Sequence, residues 1–154
     1  MDEDQYRAVY RQVNERKCVF EKAINARRCN CSRAQRLQLA DREAVACTDA
    51  GAHARCSVLL PLLRQKAAFA LRLAHVDGPL PHAAEIRVQA GGLTGIEERL
   101  RAVLPEAPDR QDIKGLIDAA ESCFGGVEAF PYSEIVKAVT RFEGRRRRRR
   151  PDSG

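Results

Sequence analysis

The sequence predicts a mainly α fold, a small multi-helix single domain with cysteine-bearing loops and at most one short strand. Apolar residues recur at three- and four-residue steps along much of the chain, beginning over residues 4–13, as on one face of a helix. Aromatic residues make up only 5% and tryptophan is absent, so aliphatic side chains must build the core. A chain of 154 residues buries enough surface to fold as one domain without cross-links. We assign residues 1–144 to this domain and residues 145–154 to a disordered arginine-rich tail.

In the first half of the chain, the pattern predicts helices separated by a cysteine-bearing loop. Residues 26–32 have no apolar periodicity, which is typical of a loop. Ser32 begins a capping-box match with Gln35 and therefore predicts a helix after this loop. Asp49, or the threonine before it, is expected to cap a long helix that runs toward residue 73. We expect Pro61 to kink or restart that helix, because proline lacks the backbone N–H.

In the second half of the chain, one short strand precedes a run of helices. Residues 85–89 alternate between polar and apolar side chains, as a strand does, and Gly91-Gly92 then predicts a tight turn. Thr94 and Glu97 form a second capping-box match. Cap and terminator residues predict three helices, over about 94–104, 109–124 and 131–142.

The formal net charge of +6 is unevenly distributed along the chain. The cysteine-rich half, residues 1–73, has a net charge of +6, and the tail contributes +5. Residues 74–144, which include the acidic helical half 84–144, have a net charge of −5. The folded part is therefore nearly neutral but polarised, and its positive half coincides with the cysteines.

From the N-terminus and the apolar runs we expect a cytoplasmic location. The first residues are acidic, unlike a signal peptide, and no apolar run approaches the roughly 18 residues that a membrane span needs. In a reducing compartment six cysteines are not expected to form structural disulfides. A bound metal or buried thiols are then the leading interpretations.

Five cysteines fall within 39 residues in the order C-x10-C-x-C-x15-C-x8-C. They are Cys18, Cys29, Cys31, Cys47 and Cys56. Four thiolates are the usual ligand set of an iron–sulfur cluster or a tetrahedral zinc ion, so we predict that four of the five bind an iron–sulfur cluster, with 4Fe–4S as the candidate type. Zinc is the alternative cofactor, and buried or redox-active thiols without metal are the third interpretation.

The surroundings of these cysteines favour thiolates. An extended loop would direct Cys29 and Cys31 to the same side of the chain, and Cys47 precedes a predicted helix start. Arginine or lysine residues flank most of the five and would lower thiol pKa values. The spacing matches neither the bacterial ferredoxin run nor the paired C-x2-C knuckles of zinc ribbons. His53 is a further candidate ligand, whereas Cys123 is expected to lie in the core.

These features predict a small metal-binding protein for electron transfer, redox sensing or cluster delivery, with a redox or assembly protein as its partner. The alternative is a nucleic-acid-associated accessory or regulatory protein with redox- or metal-sensitive cysteines. In that case the tail would bind nucleic acid or another anionic surface. The tail arginines are Arg145, Arg146, Arg147, Arg148, Arg149 and Arg150. The sequence carries no convincing catalytic constellation, and we do not predict an enzyme.

Overall fold

The fold is mainly α, as the sequence predicts. A computed structural model describes residues 3–5, 8, 14–39, 41–72 and 80–142. Its elements are α1 (Glu21–Asn25), β1 (Ala34–Leu39), β2 (Arg42–Cys47), α2 (Ala50–Ala70), α3 (His82–Arg101), α4 (Ile113–Phe124), a 3-10 turn (Val127–Ala129) and α5 (Tyr132–Arg141). Residues 3–5 and 8 are helical, but most of the helix predicted over 4–13 and all of the tail 145–154 lie outside the described residues.

A β-hairpin replaces the helix predicted after Ser32. Strands β1 and β2 are antiparallel, with Ala34 opposite Cys47 at one end. The prediction of at most one strand was therefore wrong. The hydroxyl of Ser32 does not cap a helix, because it donates to Oδ1 of Asp112, 80 residues away, at 2.8 Å. A contact of such long range leaves no local signal in the sequence.

Helix α2 begins where the sequence predicts. The Asp49 side chain accepts a hydrogen bond from the backbone N–H of Ala52 at 3.0 Å and caps the helix. The helix continues through Pro61 from Ala50 to Ala70, so the predicted restart does not occur. Its buried face is aliphatic and consists mainly of Leu59, Leu60, Leu63 and Ala67.

Helix α3 contradicts two local predictions, the strand over 85–89 and the turn at Gly91-Gly92. Both segments lie inside one helix from His82 to Arg101. The glycines serve packing rather than a turn: a Cβ at Gly91 would lie 2.8 Å from Cα of Val139 in α5. A Cβ at Gly95 would lie 2.5 Å from the carbonyl oxygen of Ile135. Their missing side chains allow α3 and α5 to approach closely, which offsets the low helix propensity of glycine.

Helices α4 and α5 follow the sequence prediction with small shifts. Helix α4 begins at Ile113, after Asp112 in the N-cap position, and not after Asp109. It ends at Gly125, whose φ of 96° lies in the region that favours glycine. Helix α5 follows Pro131, as expected.

One hydrophobic core joins the cysteine-rich half to the acidic half. Phe20 and Ile24, from the first half, belong to the same buried cluster as Leu93, Leu116 and Ile135 from the second. This shared core fixes the cysteine-bearing segments against helices α3 and α4.

Candidate functional site

Backbone pairing brings Cys18 next to the end of strand β2. The N–H of Cys18 donates to the carbonyl of Val45 at 2.9 Å, and the N–H of Cys47 donates to the carbonyl of Arg16 at 2.8 Å. An isolated bridge pairs Lys17 with Ala46 between them. The segment before α1 therefore extends the hairpin by a short antiparallel contact, which places Cys18 and Cys47 on adjacent segments of the chain.

The loop before β1 brings Cys31 to the same end of the hairpin. The N–H of Ala34 donates to the Cys31 carbonyl at 3.1 Å, and Ala34 lies opposite Cys47 in the hairpin register. The N–H of Arg33 donates to Sγ of Cys31 at 3.4 Å. A hydrogen bond from a backbone N–H to sulfur favours the thiolate form and is common around metal-bound cysteines.

Cys56 approaches this region from the first turns of α2. One turn before it, a ring nitrogen of His53 lies 2.9 Å from the carbonyl oxygen of Lys17, next to Cys18. This contact ties the start of α2 to the segment that carries Cys18. His53, the further candidate ligand, thus already has a backbone partner for one ring nitrogen.

The four thiols of Cys18, Cys31, Cys47 and Cys56 share one region of the molecule. Burial raises the pKa of Cys18 to about 12; the Phe20 N–H opposes this rise, while the charges of the other three thiols add to it. Burial likewise raises the pKa of Cys56 to about 12, with Arg55 opposing and Cys31 and Cys47 contributing. Thiolates repel one another in this way only when they lie close together.

Cys29 lies in different surroundings from the other candidates. It is buried in the hydrophobic core, with 3% of its surface exposed. Burial raises its pKa to about 12; the charge of Arg110 opposes the rise, and the thiol that adds to it is that of neighbouring Cys31. Its surroundings therefore differ from those of the other four candidates, whose segments meet at the end of the hairpin and the start of α2. Cys123 is exposed, so the expectation that it lies in the core was wrong.

The thiols are near one another but are not already in metal-ligand geometry. In the part of the chain that the structure describes, no three or more histidine, cysteine, aspartate or glutamate side chains are arranged to hold a metal ion. Charge repulsion acts over longer distances than a bond of about 2.3 Å from sulfur to a metal. The two observations are compatible, and the pKa effects establish shared location only.

Four of the basic residues beside the cysteines, namely Lys17, Arg27, Arg33 and Arg55, have carboxylate partners. Arg55 donates to Asp118, and to Oε1 of Glu121 at 2.9 Å, while its buried Nε has no hydrogen-bond partner among the described residues. Nε of Arg33 lies 3.7 Å from Oδ2 of Asp49. Acidic residues of α4 thus share the charge of Arg55 with the Cys56 thiol.

Sequence reasoning missed the contribution of the α3–α4 connection to this region. The residues around Cys31 bind to Arg110, Asp112 and Ile113 through backbone and side-chain hydrogen bonds. These partners lie some 80 residues away along the chain, and no local motif indicates them.

Comparisons with known proteins give no match: no family model, no curated protein and no solved structure is significantly similar to this chain. Within the described residues, no helix combines the length and apolar character required to cross a membrane.

Proposed function

We propose that the chain binds an iron–sulfur cluster through Cys18, Cys31, Cys47 and Cys56, for electron transfer, redox sensing or delivery of the cluster to a protein partner. The observation that carries this proposal is the gathering of four thiols from four separate segments. Those segments are the chain before α1, the loop before β1, the end of β2 and the first turns of α2. Four thiolates are the usual ligand set of such clusters.

Four thiolates suit both a cluster and a zinc ion, but the spacing of these four differs from that of the usual structural zinc site. Structural zinc sites are usually built from cysteine pairs separated by two to four residues. Among the four gathered cysteines, the shortest separation is the eight residues between Cys47 and Cys56. The N–H of Arg33 donates to Sγ of Cys31 at 3.4 Å, and the N–H of Phe20 opposes the rise in the pKa of Cys18.

The chain's own residues would bind, bury and charge-balance the ligand. Cys18 forms the buried side of the region, while Cys31, Cys47 and Cys56 are half-buried and lie nearer the surface. Their sulfurs must draw together by side-chain rotation to bind a common ligand, and each thiol must release its proton. When bound, an iron–sulfur cluster supplies one-electron transfer.

Anaerobic purification followed by absorbance spectroscopy and iron, sulfide and zinc analysis tests this proposal. We expect brown protein with equal amounts of iron and sulfide, about four of each per chain for a 4Fe–4S cluster. Protein that stays colourless and free of iron after anaerobic reconstitution with iron and sulfide would contradict it. Stoichiometric zinc without iron would replace the cluster by a zinc site.

We also propose a reducing, cytoplasmic location for this function. The described residues include all six cysteines, and none of them forms a disulfide. Free thiols in this number are typical of a reducing compartment. Thiol counting under denaturing conditions, directly after lysis in the presence of an alkylating agent, should find the thiols unoxidised.

The six consecutive arginines from Arg145 to Arg150 favour a second candidate, binding to nucleic acid or another anionic surface. Such a run would add affinity without base specificity, because each arginine neutralises a phosphate and releases counterions. Deletion of residues 145–154 should abolish retention on DNA or RNA at low salt. Equal retention of the full and truncated chains would remove this candidate.

A further inference from the structure

We infer that Asp112, at the start of α4, is a positioning residue for the thiol region, because it holds the loop that carries Cys31. The significance of this role for metal binding rests on the proposed function. The hydrogen bonds from the loop to Asp112 are present in the protein without metal, so they can be tested without it.

Four hydrogen bonds fix the loop to the α3–α4 connection on both sides of Cys31. The N–H and the hydroxyl of Ser32 both donate to Oδ1 of Asp112, at 3.0 and 2.8 Å. The N–H of Asn30 donates to the Arg110 carbonyl at 3.0 Å, and the Asn30 carbonyl accepts from Ile113 at 2.9 Å. The residues immediately before and after Cys31 are therefore both held by a segment of the acidic half.

The Asp112 contacts are those of a charged acceptor. Burial acts to raise the pKa of Asp112, but hydrogen bonds from the backbone and hydroxyl of Ser32, together with the Gly115 N–H and the charge of Lys114, hold the pKa below its usual value. A carboxylate forms stronger hydrogen bonds than a neutral acceptor does. Asp112 thus contributes a charged acceptor to the Asn30–Ser32 segment, and it receives two hydrogen bonds from Ser32.

The loop has few internal means to hold its shape. Residues 27–33 form turns and irregular structure between α1 and β1. The local bonds around Cys31 are those of its N–H to Oδ1 of Asn30, of the Ala34 N–H to its carbonyl and of the Arg33 N–H to its sulfur. A segment of this kind opens locally when its tertiary hydrogen bonds are removed. Loss of the Asp112 carboxylate should therefore free Cys31 while leaving the other three thiols in place.

The rate at which iodoacetamide alkylates Cys31 in the metal-free protein, measured by peptide mass spectrometry, tests whether Asp112 fixes the loop. In Asp112→Ala we expect Cys31 to react about tenfold faster than in the unmodified protein, since two hydrogen bonds to a carboxylate are lost. Asp112→Asn keeps an acceptor oxygen but loses the charge, so its rate should lie between those of Asp112→Ala and the unmodified protein. Asp109→Ala is the matched control, because Asp109 contacts Gln111 and Arg101 instead of the loop.

Cys56 serves as the internal reference in each variant. If Asp112→Ala merely unfolds the chain, the alkylation rates of Cys56 and Cys31 rise together. Ser32→Ala, which removes only the hydroxyl donor, then provides the milder test. An unchanged Cys31 rate in a folded Asp112→Ala variant would overturn the inference.

A second measurement addresses the consequence for the site. In reconstituted protein, Asp112→Ala should lose iron to a chelator several-fold faster than Asp112→Asn and Asp109→Ala do. Equal iron loss from all three would overturn the positioning role even if Cys31 alkylation accelerates. Failure of the unmodified protein to bind iron contradicts the proposed function alone, because the alkylation experiment contains no metal.

Discussion

At the scale of single residues, burial is the main cause of the raised pKa values of three cysteines. Cys18, Cys29 and Cys56 all have pKa values of about 12, although arginines lie near two of them. The sequence suggested the opposite, because the flanking arginines were expected to lower the thiol pKa values. Local sequence shows which charges are adjacent, but it shows neither the burial of a thiol nor the carboxylates that share an arginine's charge.

The raised thiol pKa values predict that the metal-free protein loses stability above pH 9. In the unfolded chain a cysteine loses its proton near pH 9, whereas the folded chain retains the protons of Cys18, Cys29 and Cys56 until about pH 12. Stability from these groups is therefore fully present below pH 9 and declines above it, by at most about 1.4 kcal/mol per pH unit for each thiol. Urea unfolding at pH 8, 9 and 10 measures this decline.

A Cys18→Ser variant provides the control, since serine does not ionise in this range. Its stability should fall less steeply between pH 9 and 10 than that of the unmodified protein. Equal slopes would contradict the burial of an un-ionised thiol at position 18.

At the scale of elements, the sequence predicted the helices whose signals are local. Asp49 caps α2, Gly125 terminates α4 and Pro131 precedes α5, all as expected from neighbouring residues. The hairpin and the start of α3 were missed because their determinants are tertiary. The apparent capping box at Thr94 misled for a local reason: its hydroxyl donates to the Ala90 carbonyl at 2.8 Å inside α3 and caps no helix.

Close approach of α3 and α5 predicts an unusual cost for a small substitution. Gly95→Ala should lower the free energy of unfolding by about 1–3 kcal/mol, because the new Cβ would overlap the backbone of Ile135. Gly51→Ala is the control: Gly51 is exposed in the first turn of α2, and its Cβ would meet Asp49 Oδ1 at an ordinary 3.5 Å. That variant should be neutral or stabilised by up to about 1 kcal/mol. Urea denaturation compares the two, and equal effects would contradict the packing role of Gly95.

At the scale of the whole molecule, a buried ion pair connects the two halves of opposite charge. Glu85, 1% exposed, accepts from Nε of Arg64 at 2.9 Å and from Gln89 at 2.7 Å. Gln89 in turn accepts from the N–H of Ala23 in α1 at 3.0 Å. The charge asymmetry was visible in the sequence, but the pairing of Arg64 with Glu85 was not, because residues 85–89 resembled a strand.

Removal of the Glu85 carboxylate should strongly destabilise the protein. Glu85→Ala leaves Arg64, whose side chain is 14% exposed, without its partner, at a cost of about 3–5 kcal/mol. Glu98→Ala removes an exposed pair with Arg141 and should cost less than about 1 kcal/mol. Thermal unfolding distinguishes them, and similar losses in the two variants would contradict a structural role for the buried pair.

The gathering of four thiols around one ligand is the central claim, and a matched pair of serine variants tests it most directly. Cys29 and Cys31 are separated by one residue, but Cys31 is half-buried beside the end of the hairpin, whereas Cys29 is buried in the hydrophobic core. After anaerobic reconstitution, Cys31→Ser should lose most of its iron and sulfide, while Cys29→Ser should retain the content and the absorbance spectrum of the unmodified protein. Iron retained in Cys31→Ser and lost in Cys29→Ser would contradict the claim.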